Sequence, residues 1–443
     1  MAILLLTLSL ALASGEGVRS VERAGYERGL AAARVGKDPV ALWSALMRMA
    51  WFEKSVDEHA RAIALSNEAL TVATRQRNDF MIGRSLAWLG WSYAHLGLYE
   101  LAQRCYERAV ALGAPDGKVR HVAVWGLATQ ELGYLHFRMG HTREAKALLG
   151  RTVAYAREHR ILVGVAEGGA HLAEIALQEG SPSEAWGLAR EALRASEECN
   201  CSTVNTARAR VMLARVAAVL ARQDPARHAE AVRLTDEAHA YATQVGSVRS
   251  QAEALLVRAS LLPPHRHDER LRDVAAAFEL LESTGSELRG RAQVELGRVY
   301  LEKEHTRLAE LYITQGMKVD EGMFRTVDRG HSLLTLAQLR ALQSDDTARL
   351  VALAEAADAA VAVGNTPVAL EAQESLANAL AKLGYDRMAL GWATDAQGSL
   401  QELLKRPQTP EQEQALRRRQ IALSELMANL ALRVSPGNAP APP

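Results

Sequence analysis

A helical pair recurs about every 41 residues through most of this 443-residue chain, marked by a small residue that follows Leu or Met in each first helix. The markers are Ala50, Gly90, Gly133, Ala173, Ala214, Gly297, Ala337 and Ala377, with Leu256 in the slot between Ala214 and Gly297. Spacings of 40 to 43 residues are too regular for an ordinary globular domain. They predict a solenoid, in which each unit covers the apolar face of the next. Such a fold offers a long surface rather than one cleft, so the pattern predicts a binding protein and leaves the partner unnamed. Apolar residues form 48% of the chain but aromatics only 5%. The apolar content is therefore mainly Ala, Leu and Val, which suits close helix packing and an all-α class.

Lys plus Arg and Asp plus Glu number 52 each, which removes the net positive field that non-specific nucleic-acid binding needs. The basic cluster Arg417 to Arg419 reads as the solvated face of a last helix, with an acidic partner or nucleic acid as the alternative. Three cysteines are too few for a disulfide framework. Cys105 fits a helix core, while Cys199 and Cys201 form a C-x-C with no second ligand pair nearby. The nearest approach to a metal set is His265, His267 and Asp268, in a stretch read as a polar loop after Pro263 and Pro264. Gly113 to Lys118 is one residue short of a phosphate loop, lacks Ser or Thr after the Lys, and follows a helix. No catalytic residue, cofactor or metal site is expected, and the chain reads as non-enzymatic.

The first thirteen residues are apolar from Ile3 to Leu12 and end in Ala11-Leu12-Ala13, a small-x-small cleavage form, but no Lys or Arg precedes Arg19. Two readings stay open. One is a cleaved signal peptide, which would make the protein periplasmic or secreted; the other is an orphan first helix for the helix VERAGYERGLAAARVG, with a cytoplasmic location. The stretch is too short to span a bilayer.

The clearest unit, Gly83 to about Asp116, carries Leu86, Leu89, Gly90, Tyr93, Gly97, Tyr99, Ala102, Tyr106 and Ala109 at repeat positions 4, 7, 8, 11, 15, 17, 20, 24 and 27. These residues resemble the tetratricopeptide-repeat (TPR) consensus. The period exceeds the standard unit by about two helical turns, roughly 10 Å of extra helix. This longer variety is similar to the arrays of MalT-type signal-transduction ATPases. The resemblance implies a right-handed superhelix of about nine helix pairs over residues 37–404. Before it stands the apolar N-terminal helix and half-repeat, 1–36; after it come a capping helix, 405–433, and a disordered tail, 434–443. Helix starts are predicted at Asp38-Pro39 and at two capping boxes, Ser181 to Glu184 and Thr409 to Gln412.

In the resembled family, positions 2, 5, 9 and 12 of the first helices point into the concave groove. Position 9 here reads Trp51, Trp91, Tyr134, Glu174, Arg215, Val257, Arg298, Gln338 and Asn378, aromatic at first and then polar. With Phe137 at position 12, the rings form an apolar strip of candidate anchors, because aromatic residues contribute large area at low entropy cost. The alternative is that these rings pack against neighbouring helices of a tightly wound superhelix. Ala87 and Trp91 stand where a carboxylate-clamp repeat carries Lys and Asn, so chaperone-tail binding is disfavoured. The expected function is capture of a protein or peptide along the groove. Two further readings are a ligand-sensing module of a signalling ATPase or kinase, and a periplasmic assembly factor.

Overall fold

The computed structural model describes residues 15–434 except 57, 115–116, 200–202, 264, 283–285, 287 and 323–325, with side chains from residue 21 onward except residue 55. The apolar segment 1–13, Cys201, Pro264 and the tail beyond 434 lie outside the described residues.

Among the described residues twenty α-helices follow one another, and there is no strand. Helix α1 (Gly15–Val35) packs on the first full unit. Nine pairs follow: α2 (Pro39–Ser55) with α3 (His59–Arg75), α4 (Asp79–His95) with α5 (Tyr99–Gly113), α6 (Val122–Arg138) with α7 (Thr142–Glu158), and α8 (Leu162–Gln178) with α9 (Pro182–Glu198). Then come α10 (Thr203–Gln223) with α11 (His228–Gln244), α12 (Val248–Leu261) with α13 (His267–Glu282), and α14 (Leu288–Glu302) with α15 (Thr306–Gly322). The last pairs are α16 (Arg329–Leu342) with α17 (Asp346–Ala362) and α18 (Thr366–Lys382) with α19 (Asp386–Leu404), capped by α20 (Pro410–Val434).

The marker residues sit where helices touch. A Cβ on Gly90 would lie 2.7 Å from Tyr106, one on Gly133 2.9 Å from Leu149, and one on Gly297 2.5 Å from Ile313, so the second helix occupies the space a side chain would need. The other side of each pair is stacked with fully buried Ala, among them Ala102, Ala109, Ala185, Ala192, Ala389 and Ala396. First helices of successive units also pack against one another, from α2 to α12 and from α14 to α18, whereas the second helices make no comparable contact. The first helices therefore form the inner wall.

Helix ends carry their own signals. Asp38 accepts from the Val40 amide at 2.8 Å with Pro39 at N1, and Thr409 and Gln412 exchange both capping-box bonds at 2.7 and 3.2 Å. Ser181 departs from expectation: Pro182 opens α9 as predicted, but the Ser181 hydroxyl makes no cap bond. A second correction concerns His267 and Asp268, which do not lie in a loop. They open α13, because the segment after Pro263 turns within a few residues and their side chains meet Glu302 at the end of α14 and Lys303 just past it. The Arg417–Arg419 cluster faces solvent and acids, with Arg417 on Glu413 and Arg419 on Glu374.

The array closes on itself. The tips of the α6–α7, α8–α9 and α10–α11 hairpins meet the loops before α16, α18 and α20. Thr142 Oγ1 donates to the Val363 carbonyl at 2.6 Å and Gln178 Nε2 to the same oxygen at 2.8 Å. Thr326 Oγ1 donates to the Arg138 carbonyl, Gln408 Nε2 to the Gly180 carbonyl, and Gln412 to Gln223. Gly140 and Gly180, with φ of 87° and 82°, pack directly on Val363 and on Pro367 and Leu403. Partners 185 to 228 residues apart mean that one superhelical turn takes about five units.

Candidate functional site

The first turn holds a cavity of about 800 Å³, within the size range of ligand sites. Its wall moves along the helices as the superhelix twists. From α2 it takes residues near the C-terminal end, Trp51 and Lys54; from α4 the run Arg84 to His95; from α6 the N-terminal half, Val122 to Gln130. From α8, α10 and α12 it takes only the first turns, including Glu167, Arg208 and Arg249.

This drift decides the fate of the position-9 column. Trp51 and Trp91 reach the cavity, and Trp88 and Trp125 join them. Tyr134 and Phe137 are not among the lining residues. They are 7% and 2% exposed, in a cluster with Leu149, Ile175 and Val327, the last contributed by the next superhelical turn. Tyr134 also stacks on His171 at 3.9 Å, and burial pushes the pKa of that imidazole down to about 3. Glu174 and Arg215 pair with each other at 3.0 Å, and Arg298 pairs with Glu295 on its own helix. Tight winding thus turns the later part of the column into packing and ion pairs.

The cavity's electrostatics rest on residues at positions 2 and 12. Lys54 Nζ lies 4.1 Å from the centre of the Trp91 ring and 5.8 Å from that of Trp88, a cation held between two indoles. Arg84 stacks on Trp88 at 5.5 Å and donates to the Ala123 carbonyl at 3.1 Å. Among the described residues no carboxylate lies within ion-pair reach of Lys54, Arg84 or Arg208. Glu167 accepts from Asn205 at 2.5 Å, and Glu131, 8% exposed, has its carboxyl pKa raised by burial. Burial also lowers the Lys54 pKa to about 8; Glu131 and Glu167 oppose that shift, while Arg208 and Arg84 reinforce it.

This shift gives a signed pH dependence. A base whose folded pKa lies below its ordinary 10.5 is costly while charged, and the cost vanishes as the folded form loses its proton. The stability of the wild type relative to Lys54→Met is therefore expected to rise between pH 8 and 10.5, measured by urea unfolding at a series of pH values. A difference flat across that window would place Lys54 in ordinary solvent.

The described residues contain no group of three His, Cys, Asp or Glu placed to hold a metal ion, and no helix long and apolar enough to cross a membrane. The tetratricopeptide-repeat family model matches residues 83–112. No curated protein sequence matches the chain. Among solved structures, a Rap protein in complex with competence and sporulation factor is similar at 12% identity and a TM-score of 0.55, over 88% of this chain and 99% of that one. The Rap conjugation gene regulator of plasmid pLS20, in complex with the Phr* peptide, is similar at 15% identity and a TM-score of 0.52, over 65% and 76%. With one unit matched by the family model and nine helix pairs of the same build, the chain is an all-α solenoid that contains a tetratricopeptide repeat.

Proposed function

We propose that the protein is a non-enzymatic interaction scaffold that captures a short peptide segment in the cavity of its first superhelical turn. The observation that carries this reading is the cavity itself: a volume of about 800 Å³ walled by four tryptophans and unpaired cations. Indoles offer large rigid contact area, and desolvated polar groups beside them fix the orientation of what binds. The pLS20 regulator, in complex with the Phr* peptide, is a case of a similar fold holding a peptide.

Gly126 provides the test. It lies on the cavity wall in the second turn of α6, and a Cβ there meets nothing within 4 Å. Gly126→Trp is expected to fill the cavity while leaving helicity unchanged, since removing a mid-helix glycine favours the helix by roughly 0.5–1 kcal/mol. Retention of an apolar pentapeptide pool on immobilised protein should fall at least tenfold. Gly187→Trp, on the exposed side of α9 with equally open space, should leave retention unchanged. Equal retention by all three proteins would move capture away from the cavity.

A second reading, a ligand-sensing regulatory module, is favoured by the seam between superhelical turns. Five hydrogen bonds at about 1 kcal/mol each are few enough for ligand occupancy to shift an open and closed equilibrium.

A further inference from the structure

Taking the cavity as the peptide site, we propose that Lys54, Arg84 and Arg208 receive a carboxylate of the bound peptide, whose neighbouring apolar side chain rests on Trp51, Trp88 and Trp91.

The positions of charge carry this inference. Many cations elsewhere in the chain are matched, such as Arg215 with Glu174, Arg258 with Asp273 and Arg340 with Glu310, as is Arg249 on the cavity wall with Glu253. Lys54, Arg84 and Arg208 on that wall have no carboxylate within ion-pair reach although each is part-buried, and a desolvated cation without a counter-charge is costly. Lys54 is held in place by Trp88 and Trp91, and Arg84 by Trp88 and the Ala123 carbonyl, so neither needs to reorganise to meet an anion. Position 2 places Arg84 on α4 and Arg208 on α10, so the cations enter the cavity from helices three units apart.

The acids nearby set the charge of the ligand. Glu167 lies on the same wall, and Glu131 lies close enough to be felt by Lys54. Against the part-buried Lys54, Arg84 and Arg208 they reduce the surplus to about one or two positive charges, Arg249 being matched by Glu253 and Arg160 being exposed to solvent, which suits a monoanionic carboxylate better than a dianionic phosphate. Val122, Leu127, Ile161, Leu162 and Val163 complete a wall that requires apolar groups beside that carboxylate.

The probes are three pools of N-acetylated pentapeptides with apolar and aromatic residues at the variable positions. One ends in a free carboxylate, one in an amide, and one in an amide with a single internal Glu. Each is passed over the immobilised full-length protein, and retained peptides are counted by mass spectrometry. At least one carboxylate pool is expected to be retained ten times better than the neutral amide pool. The free-acid and Glu pools then tell a terminal carboxylate from a side-chain one. In Lys54→Met/Arg208→Met, and separately in Arg84→Gln, with circular dichroism matching the wild type, the ratio should collapse towards one. Equal retention of all three pools by the wild type would overturn the carboxylate assignment while leaving peptide capture standing. A carboxylate preference that survives in both variants would overturn the assignment to these residues. Retention of no pool would sink capture and the carboxylate together.

Discussion

Replacing Gly90 with leucine is expected to cost at least about 1 to 3 kcal/mol, because the side chain has nowhere to go. Its Cβ alone would sit 2.7 Å from Tyr106 and 3.1 Å from the Ala102 carbonyl oxygen, and Tyr106 is fully buried between α4 and α5. The backbone oxygen cannot rotate away, so the helices must part. Separating them also loosens Ala102 and Trp91, which share a cluster with Tyr106. Thermal unfolding followed by circular dichroism measures the effect, with Gly187→Ala as the matched control. That glycine faces open space, and its replacement should raise the midpoint through helix propensity alone. A melting midpoint unchanged in Gly90→Leu would mean that the repeat frame is misplaced and that Gly90 does not mark the helix contact.

That frame was readable in the sequence because close helix contact demands small residues at fixed intervals. Gly90, Gly133, Gly297 and the buried alanines made the unit, the pair and the inner wall legible. The cavity was legible in part. Trp51 and Trp91 stand on its wall, as reading the position-9 column suggests, but Tyr134 and Phe137 do not. One unit's sequence carries no record of superhelical twist, and it is twist that carries the wall from the C-terminal ends of the early helices to the N-terminal ends of the later ones. The signal that could have traced it was position 2, whose run Arg84, Leu127, Glu167, Arg208 and Ser250 lines the cavity throughout. The seam was hidden for a related reason. Thr142, Gln178 and Val363 are ordinary residues at helix ends, and only five units of accumulated rotation bring them together.

Placing a charge in that seam is expected to have the second large effect. Val363 is 5% exposed and lies against Gly140, with its carbonyl accepting from both Thr142 and Gln178. An arginine there would put an unpaired cation into a buried contact, a cost on the order of 2 to 4 kcal/mol. The seam's hydrogen bonds total about 5 kcal/mol at about 1 kcal/mol each, and the substitution also disturbs the apolar contacts that flank them. Because the helix pairs are held by their own interfaces, the units stay folded while the turns separate. Retention of the pentapeptide pool should fall with the opening, since α6, α8 and α10 supply both the seam and the cavity wall.

The central claim is that the array closes on itself through the seam between superhelical turns, and small-angle X-ray scattering of the wild type and Val363→Arg side by side tests it most directly. The account predicts a wild-type radius of gyration not far above the roughly 22 Å of a compact chain of this length, and a clear increase in the variant at unchanged helicity. A wild type already as extended as the variant, with the substitution making no difference, would contradict it.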